Sequence, residues 1–228
     1  MLGVIKGSAS NHGGASSGYS VPNGRAQETL YKQALNQARL TADEVDVLEV
    51  HGTGTSLGDP IELSSVDHVY GQNRNQSDPL YISSVKTNVG HLEGAAGIVG
   101  LIKAILQLND KTLYPHLNLD KPTGKFNWQD SGIKVPQELT DWPKRSDKRR
   151  IAVSSFGFSG TNAHVVLEEA PTIPERVNPE YQRPNHLLVL SAKSEKALDA
   201  QLEQYMDYLV TTDHSIGDIL KQVLQLEE

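Results

Sequence analysis

The chain has 228 residues, with 21 Lys plus Arg against 28 Asp plus Glu, 8 His and no Cys, giving a formal net charge of −7. That length buries a core in one large domain or in one medium domain with an appendage, and a 37% hydrophobic content with 19 Gly and 11 Pro is lean but globular. The acidic balance argues against nucleic acid as a partner, since neutralising phosphates takes clustered cations, and the missing Cys excludes disulfides, thiolate-bound zinc, iron–sulfur clusters and a cysteine nucleophile supplied by this chain.

Residues 1–9 lack the charged start and long apolar core of a signal peptide. Val4-Ile5 reads as a short strand ending at Gly7-Ser8-Ala9, and the Gly-, Ser- and Asn-rich run 11–20 as a loop. After Pro22-Asn23, Ala26, Leu30, Ala34, Leu35 and Ala38 recur at helical spacing. Thr41 to Glu44 fits a capping box, and 45–50 alternates like a strand that delivers His51 into a turn-rich run ending at Gly58. Asp59-Pro60 then predicts a helix start, with Asp as the N-cap, and Gly71 its stop.

Residues 81–85 read as a further strand, running through Lys86-Thr87-Asn88-Val89-Gly90-His91 into a helix over 92–108. That helix is apolar almost all round and predicts burial, with its glycines allowing close packing. It carries Lys103 and falls short of the ~20 residues a membrane span needs, so a cytoplasmic protein without a span is expected. Residues 114–146, with four Pro and two Trp, form a long wrapping connection. Lys144-Arg145 with Lys148-Arg149-Arg150 reads as a solvated basic loop. Strands are expected at 150–155 and 162–168, a Pro-rich linker at 171–185, a strand at 186–191 and an amphipathic helix carrying Leu198, Leu202, Tyr205, Met206 and Leu209. A last helical stripe falls in 215–228. Alternating strands and helices make the class α/β.

Three loops that follow strands are rich in small and polar residues: 51–58, 86–91 and 156–162. Open α/β sheets bind ligands at such strand ends, so the three are expected to converge. His51 and His91 lack a third His or a carboxylate at metal-motif spacing, which weighs against a metal. Gly52-Thr-Gly54-Thr lacks the Gly-Lys-Ser/Thr of a phosphate loop, and Gly157-Phe-Ser159-Gly-Thr lacks the second glycine of a nucleophile elbow.

His51-Gly-Thr-Gly-Thr-Ser-Leu-Gly-Asp59-Pro-Ile-Glu62, Ser84-Val-Lys86-Thr-Asn-Val-Gly-His91-Leu-Glu-Gly-Ala-Ala-Gly97 and Ser155-Phe-Gly-Phe158-Ser-Gly-Thr-Asn-Ala-His164 occur in that order. Together they resemble the second half of a β-ketoacyl synthase, the condensing domain of modular polyketide synthases. Gly7-Ser-Ala-Ser-Asn-His-Gly-Gly14, followed by Val21-Pro-Asn-Gly, resembles the variety served by a separate acyltransferase.

The resemblance implies the C-terminal half of a duplicated, thiolase-like αβαβα fold over 1–170, the linker 171–185, and the start of a small α/β linker subdomain over 186–228. It implies a decarboxylative Claisen condensation of acyl and malonyl thioesters carried on the phosphopantetheine of acyl-carrier protein, with no cofactor bound by the chain. His51 and His91 would donate hydrogen bonds to the enolate, and Lys86 would hold the second His. Asp59 and Glu62 would belong to the network behind the first, Thr53 and Thr55 would hold the pantetheine arm, and Phe158 would supply an oxyanion N–H and gate the pocket. Ser159 stands where the family uses glycine. The nucleophilic Cys lies in the family's N-terminal half, so this chain alone is expected to be inactive. Its implied partners are a Cys-bearing half, acyl-carrier protein and a second copy in the family's dimer. The competing expectation is a non-catalytic interaction or scaffold module that keeps the carrier-arm contacts and the dimer surface without condensing anything.

Overall fold

A computed structural model describes residues 1–14, 18, 21–142, 146–171, 187–212 and 219. The chain forms two compact units, Met1–Thr172 and Ile173–Glu228. In the first, a six-stranded sheet runs in the order β1 (Gly3–His12), β8 (Thr161–Glu169), β7 (Arg150–Phe156), β2 (Val47–Glu49), β3 (Leu80–Ser83), β5 (Ile133–Lys134). The pairs β7–β2, β2–β3 and β3–β5 are parallel, whereas β8 is antiparallel to both β7 and β1. Strands β4 (Thr112–Leu113) and β6 (Thr140–Asp141) form a separate small ladder.

Residues alternate between the two faces of the sheet. Leu48, Val50, Leu80, Ile82, Ala152 and Val166 face helices α1 (Gly24–Ala38) and α2 (Gly58–Val66), packing among Tyr31, Ala34, Leu35, Leu63 and Val66. Val47, Ile151, Val153 and Leu167 face the opposite side, where α4 (Ala96–Asp110) brings Ala104 and Leu108. Helix α1 begins as expected, with the Asn23 side chain accepting the Ala26 N–H. The capping box at Thr41 and Glu44 is present and closes one 3₁₀ turn.

Several expectations are corrected. Strand β1 continues past Gly7 to His12, because the α1 backbone sits against that glycine: a Cβ there would lie 2.5 Å from the Ala38 nitrogen and 2.6 Å from the Ala34 oxygen. Helix α2 begins at Gly58 with Leu57 at the cap, so Asp59 is inside the helix and its carboxylate accepts the Gly54 N–H at 3.0 Å. Lys86–Val89 is one helical turn, α3, rather than loop. Helix α4 is not buried all round, since Ile98, Ile102 and Leu106 on its outer side are 54%, 51% and 49% exposed. Arg149 and Arg150 are not in a solvated loop. Arg150 is buried and ion-paired with Glu168, Asp147 and Glu44, and Arg149 pairs with Glu169. Lys144 and Arg145 lie outside the described residues, as does the expected linker beyond Pro171.

In the second unit, the expected amphipathic helix is α5 (Glu195–Thr211), capped by the Ser194 hydroxyl. Residues 187–192 form no strand, and the helical stripe expected in 215–228 lies outside the described residues apart from Ile219.

Candidate active site

Strand β2 ends at Glu49, two residues before His51, and the buried Glu62 on α2 fixes the turn that follows. Its two carboxylate oxygens accept the His51 and Gly52 N–H groups at 2.7 and 2.9 Å, and Gly52 takes the positive φ (+45°) this turn requires. On the ring side, His51 Nδ1 accepts the Phe156 N–H at 3.3 Å, so the ring proton of the neutral imidazole belongs on Nε2. The Phe156 ring packs 5.3 Å from the imidazole. Burial, followed by the nearby Lys86 and His91, pushes His51 down to about 3, so it is neutral at neutral pH.

Strand β3 leads through Ser84 and Val85 into α3, and Gly90 (φ +75°) turns the chain into His91. His91 Nδ1 accepts the Glu93 N–H at 3.0 Å, which again leaves Nε2 as the donor. The two imidazoles meet edge to face, with centroids 5.5 Å apart and planes at 82°. Two fixed N–H donors therefore stand side by side. They line a cavity of about 950 Å³ together with Thr53, Thr55, Phe156 and Phe158.

Lys86 is not in that cavity. It opens to a neighbouring one of about 620 Å³, with Asp59, Thr87 and His116, and Glu62, Thr53 and Thr55 border both. Burial lowers the Lys86 ammonium, opposed by the charges of Glu62 and Glu49. Burial also raises Glu62, to about 7, against the pull of its two backbone N–H donors. Asp59 is raised by burial as well and braces the 53–55 turn rather than bonding His51. Thr55 Oγ1 accepts the Gly58 N–H at 3.0 Å.

Phe158 is exposed, at the tip of a turn closed by the Gly157 N–H to Thr161 O and the Gly160 N–H to Gly157 O hydrogen bonds. The positive φ of that turn (+93°) falls on Gly160 and not on Ser159, so serine there introduces no strain. His12 ties the turn to the start of the chain. Its Nδ1 accepts the Gly14 N–H at 2.9 Å, and its Nε2 lies 2.9 Å from the Ser159 carbonyl, which it reaches as donor. The three loops thus converge as expected. Sequence reasoning missed His12, Phe156 and His116, and also the buried Glu49 and Lys103 below α3, because none of them stands out until strands distant in sequence are paired.

The family model described as Beta-ketoacyl synthase, C-terminal domain, matches residues 2–120, and that of the Ketoacyl-synthetase C-terminal extension matches 122–227. The chain is 46% identical over 216 residues to the spectinabilin polyketide synthase system protein NorB of Streptomyces orinoci, covering 92% of this chain and 10% of that protein. It is 45% identical over 212 residues to the pikromycin polyketide synthase component PikAII of Streptomyces venezuelae, covering 89% and 6%. Among solved structures, the ketosynthase from module 6 of the bacillaene synthase of Bacillus subtilis 168 is 37% identical with a TM-score of 0.69, covering 96% of this chain and 39% of that one. The oxazolomycin ketosynthase domain OzmH KS7 of Streptomyces albus JA3453 is 36% identical with a TM-score of 0.72, covering 92% and 37%. The chain thus spans a tenth or less of these curated relatives and under two-fifths of these solved ones.

Proposed function

Because the chain belongs to the β-ketoacyl synthase family and has the thiolase-like α/β fold of its C-terminal part, we propose that it supplies the decarboxylation half of a polyketide ketosynthase site. The substrates are an acyl group held on a Cys of an N-terminal half and a malonyl group on the phosphopantetheine of acyl-carrier protein. In the reaction the bond between the malonyl α-carbon and its carboxylate breaks and carbon dioxide leaves. The electron pair passes into the thioester enolate, whose carbon attacks the acyl carbonyl, and the Cys thiolate departs.

The observation that carries this reading is the pair of imidazoles with both Nδ1 atoms occupied by backbone N–H groups. Two Nε2–H donors facing one cavity are prepaid stabilisation for the enolate oxygen, because they need not reorient as charge develops. A protonated His51 would bring charge and lose its Phe156 bond, and the depressed proton affinity of the ring prevents that. Lys86, in the neighbouring cavity, acts through its charge on Glu62 and so on the network that holds His51, rather than touching substrate. Thr53 and Thr55, bordering both cavities, take the pantetheine arm, and the exposed Phe158 covers the mouth. The exposed outer stripe of α4 supports a Cys-bearing half as the covering partner, since Ile98, Ile102 and Leu106 otherwise meet water. A second copy completes the proposed dimer.

The test is malonyl decarboxylation by the enzyme assembled from this chain and a Cys-bearing half. His51→Ala and His91→Ala should each slow it by roughly 10²-fold or more, the cost of removing one oxyanion donor elsewhere. Unchanged rates would remove the two His from the reaction and favour a carrier-protein scaffold. The unassembled chain, with no Cys, should condense nothing.

A further inference from the structure

Beneath α3 lies a charged cluster in the sheet-facing side of α4. Glu49 and Lys103 are 2% and 6% exposed, and Ser83 is 1% exposed. The Lys103 ammonium donates to Glu49 Oε2 and to Ser83 Oγ, both at 2.7 Å, while Glu49 Oε1 accepts the Val85 N–H. Gly100 is what lets α4 approach this carboxylate: a Cβ there would lie 3.3 Å from Glu49 Cγ. Burial pushes the Glu49 carboxyl up, and Lys103 is the main force opposing it.

Among the described residues the cluster's side chains touch neither cavity-facing imidazole, yet Glu49 holds a backbone N–H at the start of the segment that carries one. Val85 caps α3, and its carbonyl accepts the Val89 N–H at 3.2 Å. The next link, Gly90 N–H to Lys86 O at 2.9 Å, leads directly to His91. The neighbouring Ser84 N–H is also met by a side chain, His116 Nδ1 at 3.2 Å. Glu62 does the same service on the other side of the site, accepting two N–H groups at the His51 turn. Each histidine-bearing loop thus starts on a buried carboxylate.

We infer that Glu49 and Lys103 form a positioning pair for the Lys86–His91 segment: Lys103 keeps the Glu49 carboxylate oriented, and Glu49 holds Val85 and, through α3, sets where His91 stands. Its catalytic meaning rests on the proposed condensing role, but the mechanical link does not. A buried carboxylate deprived of the cation hydrogen-bonded to it is costly and shifts or neutralises, so the anchor on Val85 weakens even though no residue of the segment has changed.

The link is tested by amide hydrogen exchange on the full chain without substrate. Lys103→Met should speed exchange at Val85 and over 86–90 by roughly tenfold or more, with β1, β7 and β8 little affected, as local opening requires. Glu49→Gln/Lys103→Met should restore protection, because the amide oxygen still accepts the Val85 N–H and no bare charge remains. Should Lys103→Met fail to fold, Ser83→Ala removes the second Lys103 acceptor and should loosen the same residues by a smaller factor. Unchanged protection over 85–90, or a loss spread evenly through the sheet that the double variant does not reverse, would overturn the inference. In the assembled ketosynthase, Lys103→Met should lower kcat for malonyl decarboxylation with KM little altered; local loosening with an unaltered kcat would overturn the positioning role. A wild-type assembly that fails to decarboxylate counts instead against the condensing reading, since the exchange result is obtained without it.

Discussion

An imidazole that accepts a backbone N–H on Nδ1 has its remaining proton assigned by its neighbours, and both His51 and His91 are in that state. For His51 the burial of the ring adds a second constraint, pushing it down to about 3. Its ring carbon and nitrogen shifts in an NMR titration should therefore stay constant from pH 8 to pH 5 and move only near 3. A midpoint near the ordinary 6.5 would show a ring far more hydrated than this one. Glu62 is the complementary case, an acceptor for two N–H groups in a site that burial makes unfavourable for charge. Glu62→Leu fills the space but leaves the His51 and Gly52 N–H groups without acceptors, at about 1–3 kcal/mol each. Urea unfolding should register a loss of roughly 2–6 kcal/mol, and a loss below about 1 kcal/mol would mean water replaces the carboxylate.

At the scale of elements, a strand glycine lies directly against a helix backbone. Gly7→Ala would set a methyl group inside contact distance of Ala34 and Ala38 on α1. Either α1 lifts from β1 or the strand bulges, at a cost of about 1–3 kcal/mol, the range for overpacking a filled core; a variant unfolding at the wild-type urea concentration would contradict that contact. Helix α4 gives the opposite expectation. Ile102→Lys on its exposed side should leave the chain's own unfolding within about 0.5 kcal/mol of wild type, while abolishing association with a Cys-bearing half in a pull-down or sedimentation experiment. These two sites also mark what the sequence makes legible. The α1 face, the capping box and the two His-bearing loops are visible because period, cap residues and glycine-rich turns are local signals. The passage of β1 beyond Gly7 is not, because glycine reads as a stop until a helix backbone is known to need its missing side chain. Strand β5 has two residues, Ile133 and Lys134, too few for any period to register. Glu49 carries no local signal of its pairing, since its cation, Lys103, is 54 positions away. The apolar sequence of α4 shows that the helix will be covered without showing by what.

Three buried groups of opposing sign, His51, His164 and Glu62, contribute to the response of the whole molecule to acid. His164, fully enclosed between the Tyr70 hydroxyl at 2.8 Å and the Ser154 hydroxyl at 3.0 Å, is pushed down to about 3 by burial, as His51 is. In the unfolded chain both titrate near the ordinary 6.5. Between pH 6.5 and 3 the unfolded state therefore binds up to two more protons than the folded one, and their stabilising contribution, complete above 6.5, is lost as pH falls. Glu62 acts the other way. Its folded value of about 7 lies above the ordinary 4.5, so the folded state takes up its proton first and stability is gained as pH falls from 7 to 4.5. From 6.5 to 4.5 one histidine proton remains uncompensated, a slope of about 1.4 kcal/mol per pH unit. Below 4.5 Glu62 is protonated in both states and both histidines act unopposed, so the slope becomes about twice that. Raised carboxyls such as Glu49 add to the Glu62 side and sharpen this break. Urea unfolding at pH 7.5, 5.5, 4.5 and 3.5 should trace a shallow decline followed by a steep one below 4.5. His164→Gln, which keeps a hydrogen-bonding group between Tyr70 and Ser154 and removes the titration, should flatten the steep limb by about half. A steep limb unchanged in that variant would mean that acid unfolds this protein through groups other than its buried imidazoles.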